Sequence, residues 1–142
     1  MIDSKSAPYA ALLLRVSLGV MFLAHGFYLK IFVFTTAGTV GFFESLGLPG
    51  LLAYATIAAE TLGGLALILG VFTRWVSLGL LPVLLGAVWV HSGNGWLFTA
   101  EGGGWEYPVF LAVAAMAQAL LGDGAHALKP SGEITRPLGH AA

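Results

Sequence analysis

The stretch "LLAYATIAAETLGGLALILGVF", Leu51 to Phe72, is apolar, small or hydroxyl-bearing at every position but one. About 20 such residues form a helix long enough to cross the hydrocarbon core of a bilayer. The exception is Glu60, which puts a carboxylate near the middle of the span. An unpaired charge there costs several kcal/mol and would tend to take up a proton.

The remaining sequence agrees with a membrane class. Of 142 residues, 58% are hydrophobic and 9% charged, against roughly 25% charged in a soluble domain. That is too few charges to cover a soluble surface, and the mean hydropathy is +0.88. The predicted fold is all-α, an integral-membrane four-helix bundle forming one domain over residues 1–142. Its helices are expected at about 9–34, 51–72, 75–91 and 107–122. The last two lie near the lower limit of about 17 residues for a span and are expected to extend into their loops. Lys5 ahead of the first segment is reminiscent of a secretory signal, but three further spans and no A-x-A site predict a retained helix. A net charge of −1 without a basic run excludes nucleic acid as a partner. Without cysteine there is no disulfide, thiolate chemistry or Cys-ligated metal.

Lys5, Arg74, Lys129 and Arg136 fall in the two tails and in the turn between the second and third helices. The opposite side has Lys30 and no Lys or Arg from Ser92 to Glu106. This asymmetry predicts cytoplasmic termini, with Arg15 near the inner end of the first helix, able to snorkel. In the first outward loop, "TTAGTVGFFESLGLPG", Val40, Phe43 and Leu46 predict a short interfacial helix ended by Gly47 and Pro49. The second, "SGNGWLFTAEGGGWEYP", carries Trp96, Trp105 and Tyr107 as interfacial anchors, and its glycines lack the strand-then-helix setting of a dinucleotide loop. "RVSLG" (Arg15 to Gly19) and "RWVSLG" (Arg74 to Gly79) suggest two related hairpins side by side.

The rise of a helix gives depths for the buried polar residues. His25 comes at about 22 Å, His91 at about 24 Å and Glu60 at about 16 Å from the inner boundary, all in the outer half. Glu60 shares a face with Ala53, Thr56, Gly63, Gly64 and Leu67, whereas Leu62, Leu65 and Leu69 lie elsewhere. Small residues let helix backbones approach closely in lipid, so Glu60 is predicted to point into the bundle. A histidine, Arg15 or Lys30 alongside would share a proton or supply countercharge.

Two readings follow: a buried Glu–His knot that fixes helix register, or a site where Glu60 with His25 or His91 handles protons or a ligand. The second is favoured because intramembrane acids are commonly functional. Lys30 and Glu106 read as end-of-helix residues, Glu106 being favoured by the dipole at a helix start, and Arg15 and Arg74 read as inner-face anchors. His126 and His140 in the polar tail carry no signal. Pro82 frees the carbonyl of Leu78 and predicts a kink. His25, His91 and Glu60 come from three helices without local pairing, so no metal is expected.

Four motifs occur in order: "RVSLGVMFLAHGFYLK", "FFESLGLP", "AAETLGGLALILGVFTR" and "GGGWEYP". Together, over about Leu12 to Leu121, they resemble the DoxX family of small bacterial inner-membrane proteins. The resemblance implies a multi-pass inner-membrane protein with four helices and cytoplasmic termini. Some DoxX relatives are subunits of a thiosulfate:quinone oxidoreductase; others belong to membrane oxidoreductase complexes linked to thiol or oxidative stress. The family's recurring polar positions correspond to Arg15, His25, Lys30, Glu60 and Glu106. With no cysteine here, thiol or sulfur chemistry would fall to a partner.

The function expected on this basis is a membrane-embedded subunit of a quinone-linked oxidoreductase. His25 and Glu60 would form its proton relay, and Lys30, His91, Arg15, Glu106 and Trp105 would support the ligand. Phe22, Tyr28 and Trp105 would supply an apolar slot. Expected partners are the lipid bilayer, a quinone, an oxidoreductase protein and a second copy of the chain, which small-residue faces permit. The alternatives are a non-catalytic membrane scaffold that recruits a partner through the Trp-rich loop, and a small carrier or channel.

Overall fold

A computed structural model describes residues 3–132, which form five α-helices and no sheet: α1 (Ala7–Val33), α2 (Thr36–Ser45), α3 (Gly50–Leu69), α4 (Thr73–His91) and α5 (Glu106–Leu121). Arg136 and His140 lie outside the described residues. α1, α3 and α4 are long and apolar enough to cross a membrane, at 27, 20 and, with the 3-10 turn Ser92–Asn94, 22 residues. The expected extension into the loop holds for α4 but not for α5, whose 16 residues reach about 24 Å. α2 is the short helix expected in the first loop, and it ends at Gly47 with φ +76°, a left-handed geometry that costs glycine little.

α1 packs on α3 and α5, and α4 packs on α5 and α3, which closes a ring of four helices. α2 lies across α3 and the last part of α1. Leu18, Phe22, Leu67, Leu80, Leu84, Ala114 and Ala115 fill the centre. The outer surface is apolar as well: Leu13, Leu51, Leu62, Phe110 and Leu120 are all about two-thirds exposed or more, which suits a bilayer and not water. On α3, Ala53, Glu60, Gly64 and Leu67 are buried while Leu62, Leu65 and Leu69 are exposed, as the small-residue face predicts. The close crossing is with α1. A Cβ on Gly19 would stand 2.7 Å from the Gly64 carbonyl oxygen, and one on Gly26 would stand 2.5 Å from the Glu60 Cβ.

The last ten residues of α1, Ala24–Val33, wind as a π-helix. The Phe34 amide closes it by donating to the Leu29 carbonyl at 2.8 Å, five residues back. This wider winding was not expected from the sequence.

At the opposite end, the segment after α5 folds back on the bundle. The Asp123 carboxylate accepts the amides of Thr73 (3.1 Å) and Ser131 (2.8 Å) and the Ser131 hydroxyl (2.7 Å). It thereby caps the first turn of α4, where negative charge is favoured. Arg15 does not snorkel. It is 1% exposed and donates to the carbonyls of Asp123 (3.1 Å) and Ala125 (3.3 Å). Any side chain at Gly70 would collide with its guanidinium.

The two "VSLG" copies are not equivalent in their packing. Leu18 and Gly19 face inward and Ser17 outward, whereas Ser77 is buried and Leu78 and Gly79 are exposed. The short match therefore does not extend to the faces the two helices bury.

Candidate functional site

The π-helical turn sets the site. In an α-helix, residues five apart lie on different faces. With ring closure at i+5 they come closer to eclipsing, which brings His25 and Lys30 to one side of α1. Gly26 between them allows α3 close enough for the Lys30 Nζ to donate to Glu60 Oε2 at 2.6 Å. The side chains of Lys30 and Glu60 are 18% and 8% exposed, so the pair is largely withdrawn from solvent and lipid. Lys30 is held from the α2 side too, because its carbonyl accepts the buried Thr39 hydroxyl at 2.9 Å.

Among the candidates named for countercharge, Lys30 is thus the residue that meets the acid. Neither histidine bonds Glu60, so the Glu–His knot is not formed. His25 Nδ1 binds the Met21 carbonyl and His91 Nδ1 binds the Ala87 carbonyl, each at 2.8 Å and each four residues back on its own helix. A carbonyl only accepts, so Nδ1 carries the proton in both rings. Nε2 is left as the nitrogen free to accept a proton when the ring is neutral.

These four residues line one cavity of about 420 Å³, together with Met21, Phe22, Leu84, Phe98, Gly103, Tyr107 and Leu111 among others. That volume lies within the range of about 300–1,000 Å³ usual for small-molecule sites. Tyr107 tilts against His25 with ring centroids 6.2 Å apart, and the glycine-rich loop closes over His91 at Gly103.

The other expected site residues stand apart. Arg15 serves the clamp at the Asp123 end. Glu106 accepts the Phe98 amide at 3.0 Å and so staples the loop; Trp105 packs edge-on against Trp96 at 4.4 Å. Neither lines the His25–Glu60 cavity. Of the proposed aromatic slot, Phe22 is in the wall, while Tyr28 faces outward at 60% exposure.

Two aromatic wall residues, Tyr107 and Phe98, were missed by the sequence reading. Tyr107 was read as an interfacial anchor, although as the second residue of α5 it lines the cavity. Phe98 sits in a loop with no periodicity to signal its direction.

A family model described as DoxX matches residues 10–93. The chain belongs to the DoxX family. The matched region holds His25, Lys30, Glu60 and His91 but not Tyr107. A curated relative from Bacillus subtilis (strain 168), named "Putative oxidoreductase CatD", is 40% identical over 85 residues, covering 60% of this chain and 61% of that protein. The match thus spans under two thirds of the relative's length. No solved structure matches. Family and fold together make this a multi-pass membrane protein.

Proposed function

We propose that this DoxX protein is a quinone-binding subunit of an oxidoreductase complex in the bacterial inner membrane, with termini in the cytoplasm. The observation that carries the reading is the convergence of the Lys30–Glu60 pair, His25 and His91 on one cavity with otherwise apolar walls. The donor set fits a flat ring bearing two carbonyls. Lys30 has three N–H donors, and Glu60 engages one of them. Phe22, Leu84 and Leu111 offer apolar surface to the ring.

A bound quinone would supply two-electron, two-proton redox chemistry, with electrons from a partner protein. This chain's residues would handle the protons. A protonated His25 or His91 would donate from Nε2 to a carbonyl, and the neutral ring would accept from a hydroxyl. Glu60 holds Lys30 in place and offers a second carboxylate oxygen as a proton acceptor. The name of the Bacillus relative supports an oxidoreductase setting without identifying the substrate.

The test is quinone binding by the purified protein in lipid nanodiscs, followed by tryptophan quenching, with quinol-dependent turnover in native membranes beside it. Glu60→Gln and His25→Ala are each expected to weaken binding at least tenfold. Unchanged binding and turnover in both variants would remove the site. A scaffold role is favoured by a separate observation, the exposed Leu97 and Trp96 of the α4–α5 loop. If Leu97→Asp abolishes co-purification of a partner while quinone binding persists in neither variant nor wild type, the scaffold reading takes its place.

A further inference from the structure

The ion pair borders a second space. Lys30, Glu60 and His91 also line a groove of about 460 Å³ bounded by α2, α3 and α4, and Val83 and Ala87 are common to both walls. Away from those shared residues and Thr56 its walls are apolar. Phe42, Phe43, Leu46 and Leu48 roof it from α2 and the following turn; Leu52, Ala55 and Ala59 come from α3, and Pro82, Gly86 and Trp89 from α4.

Its shape follows from where α3 and α4 seal. At the level of Gly63 they touch: a Cβ there would stand 2.9 Å from Leu80 Cδ1. Towards the α2 end the facing residues are small, Ala55 and Ala59 against Gly86 and Ala87, and a Cβ on Gly86 would meet nothing within 4 Å. Pro82 starts the open part, where its missing amide leaves the Leu78 carbonyl without its intrahelical partner. Ala55, Pro82 and Trp89 are exposed on the outer surface. The groove therefore runs from the buried ion pair to the lipid-facing side.

We propose that this groove holds the hydrocarbon tail of the ligand whose polar head occupies the His25–Glu60 cavity, the ligand entering sideways from the bilayer between α3 and α4 beneath α2. This rests on the proposed quinone site and adds to it the substrate class: a long-tailed, membrane-dissolved quinone in place of a tail-less or water-soluble one. A polar cluster of Lys30, Glu60 and His91 shared by both spaces, from which the groove leads away between apolar walls to the lipid-facing side, matches an amphiphile with one flat polar end. Annular lipid alone has no reason to meet a groove that ends on a lysine–glutamate pair and a histidine.

Gly86 gives a specific test because a side chain there fills the groove without striking the fold. The probes are a naphthoquinone carrying a four-isoprene tail and the same ring with only a methyl substituent. Binding to wild type, Gly86→Leu and Gly79→Leu is measured in nanodiscs. Gly79 lies on the same face of α4 two turns away, also has nothing within 4 Å of its Cβ, and does not line the groove. Gly86→Leu is expected to weaken the tailed quinone at least tenfold and leave the tail-less one within twofold, and Gly79→Leu is expected to change neither. Ala55→Leu, on the opposite wall, is expected to repeat the Gly86→Leu pattern, which guards against a folding defect in one variant. Equal effects on both quinones, or none on either, would overturn the tail assignment while leaving the head site standing. Absence of binding of both quinones to wild type would remove the quinone site and the tail slot with it.

Discussion

At the scale of single residues, Glu60 and Lys30 combine a structural and a chemical role, and the two are separable. Removing one partner of a largely buried ion pair leaves an uncompensated charge and costs about 3–5 kcal/mol, whereas replacing both with apolar or neutral groups is often close to neutral. Lys30→Met alone is expected to lower unfolding stability in detergent by about 3 kcal/mol. The double variant Lys30→Met/Glu60→Gln is expected to recover most of that loss without recovering quinone binding. A double variant that regains both would assign the pair to architecture alone. The sequence pointed to Glu60 because an acid within an apolar span demands a partner. It left the partner open because Lys30, three helical turns beyond the middle of α1, looked like a residue of the membrane boundary.

At the scale of elements, the π-helical end of α1 accounts for that difference. An ideal α-helix would carry Lys30 about 14 Å further along the membrane normal than Glu60, and ideal helices would set Glu60 about one to one and a half turns from the level of the histidines. The contact of Gly26 with Glu60 places the acid level with His25 instead. Wider winding, which shortens the rise, and the reach of the lysine stem together close the gap. Gly26 is critical to this approach. Gly26→Ala is expected to push α3 away, costing about 1–3 kcal/mol, and to lengthen the Lys30–Glu60 contact, visible as weaker ligand binding with the helix content unchanged by circular dichroism. At the other end, Asp123→Ala removes the cap of α4 and the anchor of Ser131. A loss of about 1–2 kcal/mol is expected, with faster amide hydrogen exchange confined to Thr73, Arg74 and the segment from Asp123 to Ser131. Exchange that rises evenly through the bundle would refute a local cap.

At the scale of the whole molecule, the helix ring places two polar centres at opposite ends. The Arg15–Asp123 clamp lies at the end of the termini, and the His25–Glu60 cavity lies at the end of α2 and the glycine-rich loop. Lys5, Arg74 and Lys129 all lie at the clamp end, which the proposed topology turns to the cytoplasm by the positive-inside rule. Because the chain has no cysteine, single introduced cysteines report this directly. Ser4→Cys is expected to react with a membrane-impermeant maleimide only after spheroplasts are opened, and Thr99→Cys before opening. The reverse pattern would invert the protein and put the proposed quinone site in the inner half of the bilayer.

The sequence by itself determined the membrane class, the helix order and the inward face of α3. These follow from local quantities: the length of apolar runs, the 3.6-residue period and the side on which small residues cluster. It also named His25, Lys30, Glu60 and His91, together with Arg15, Glu106 and Trp105, as candidate site residues. Only the tertiary structure decided which of them meet. Pairing depends on the winding of α1, on the depth at which two helices cross and on where a glycine-rich loop returns, none of which is encoded at one spacing along the chain. For the same reason Arg15 moved from a membrane anchor to a buried clamp: its partners are backbone carbonyls 108 and 110 residues away, and a carbonyl has no sequence signature.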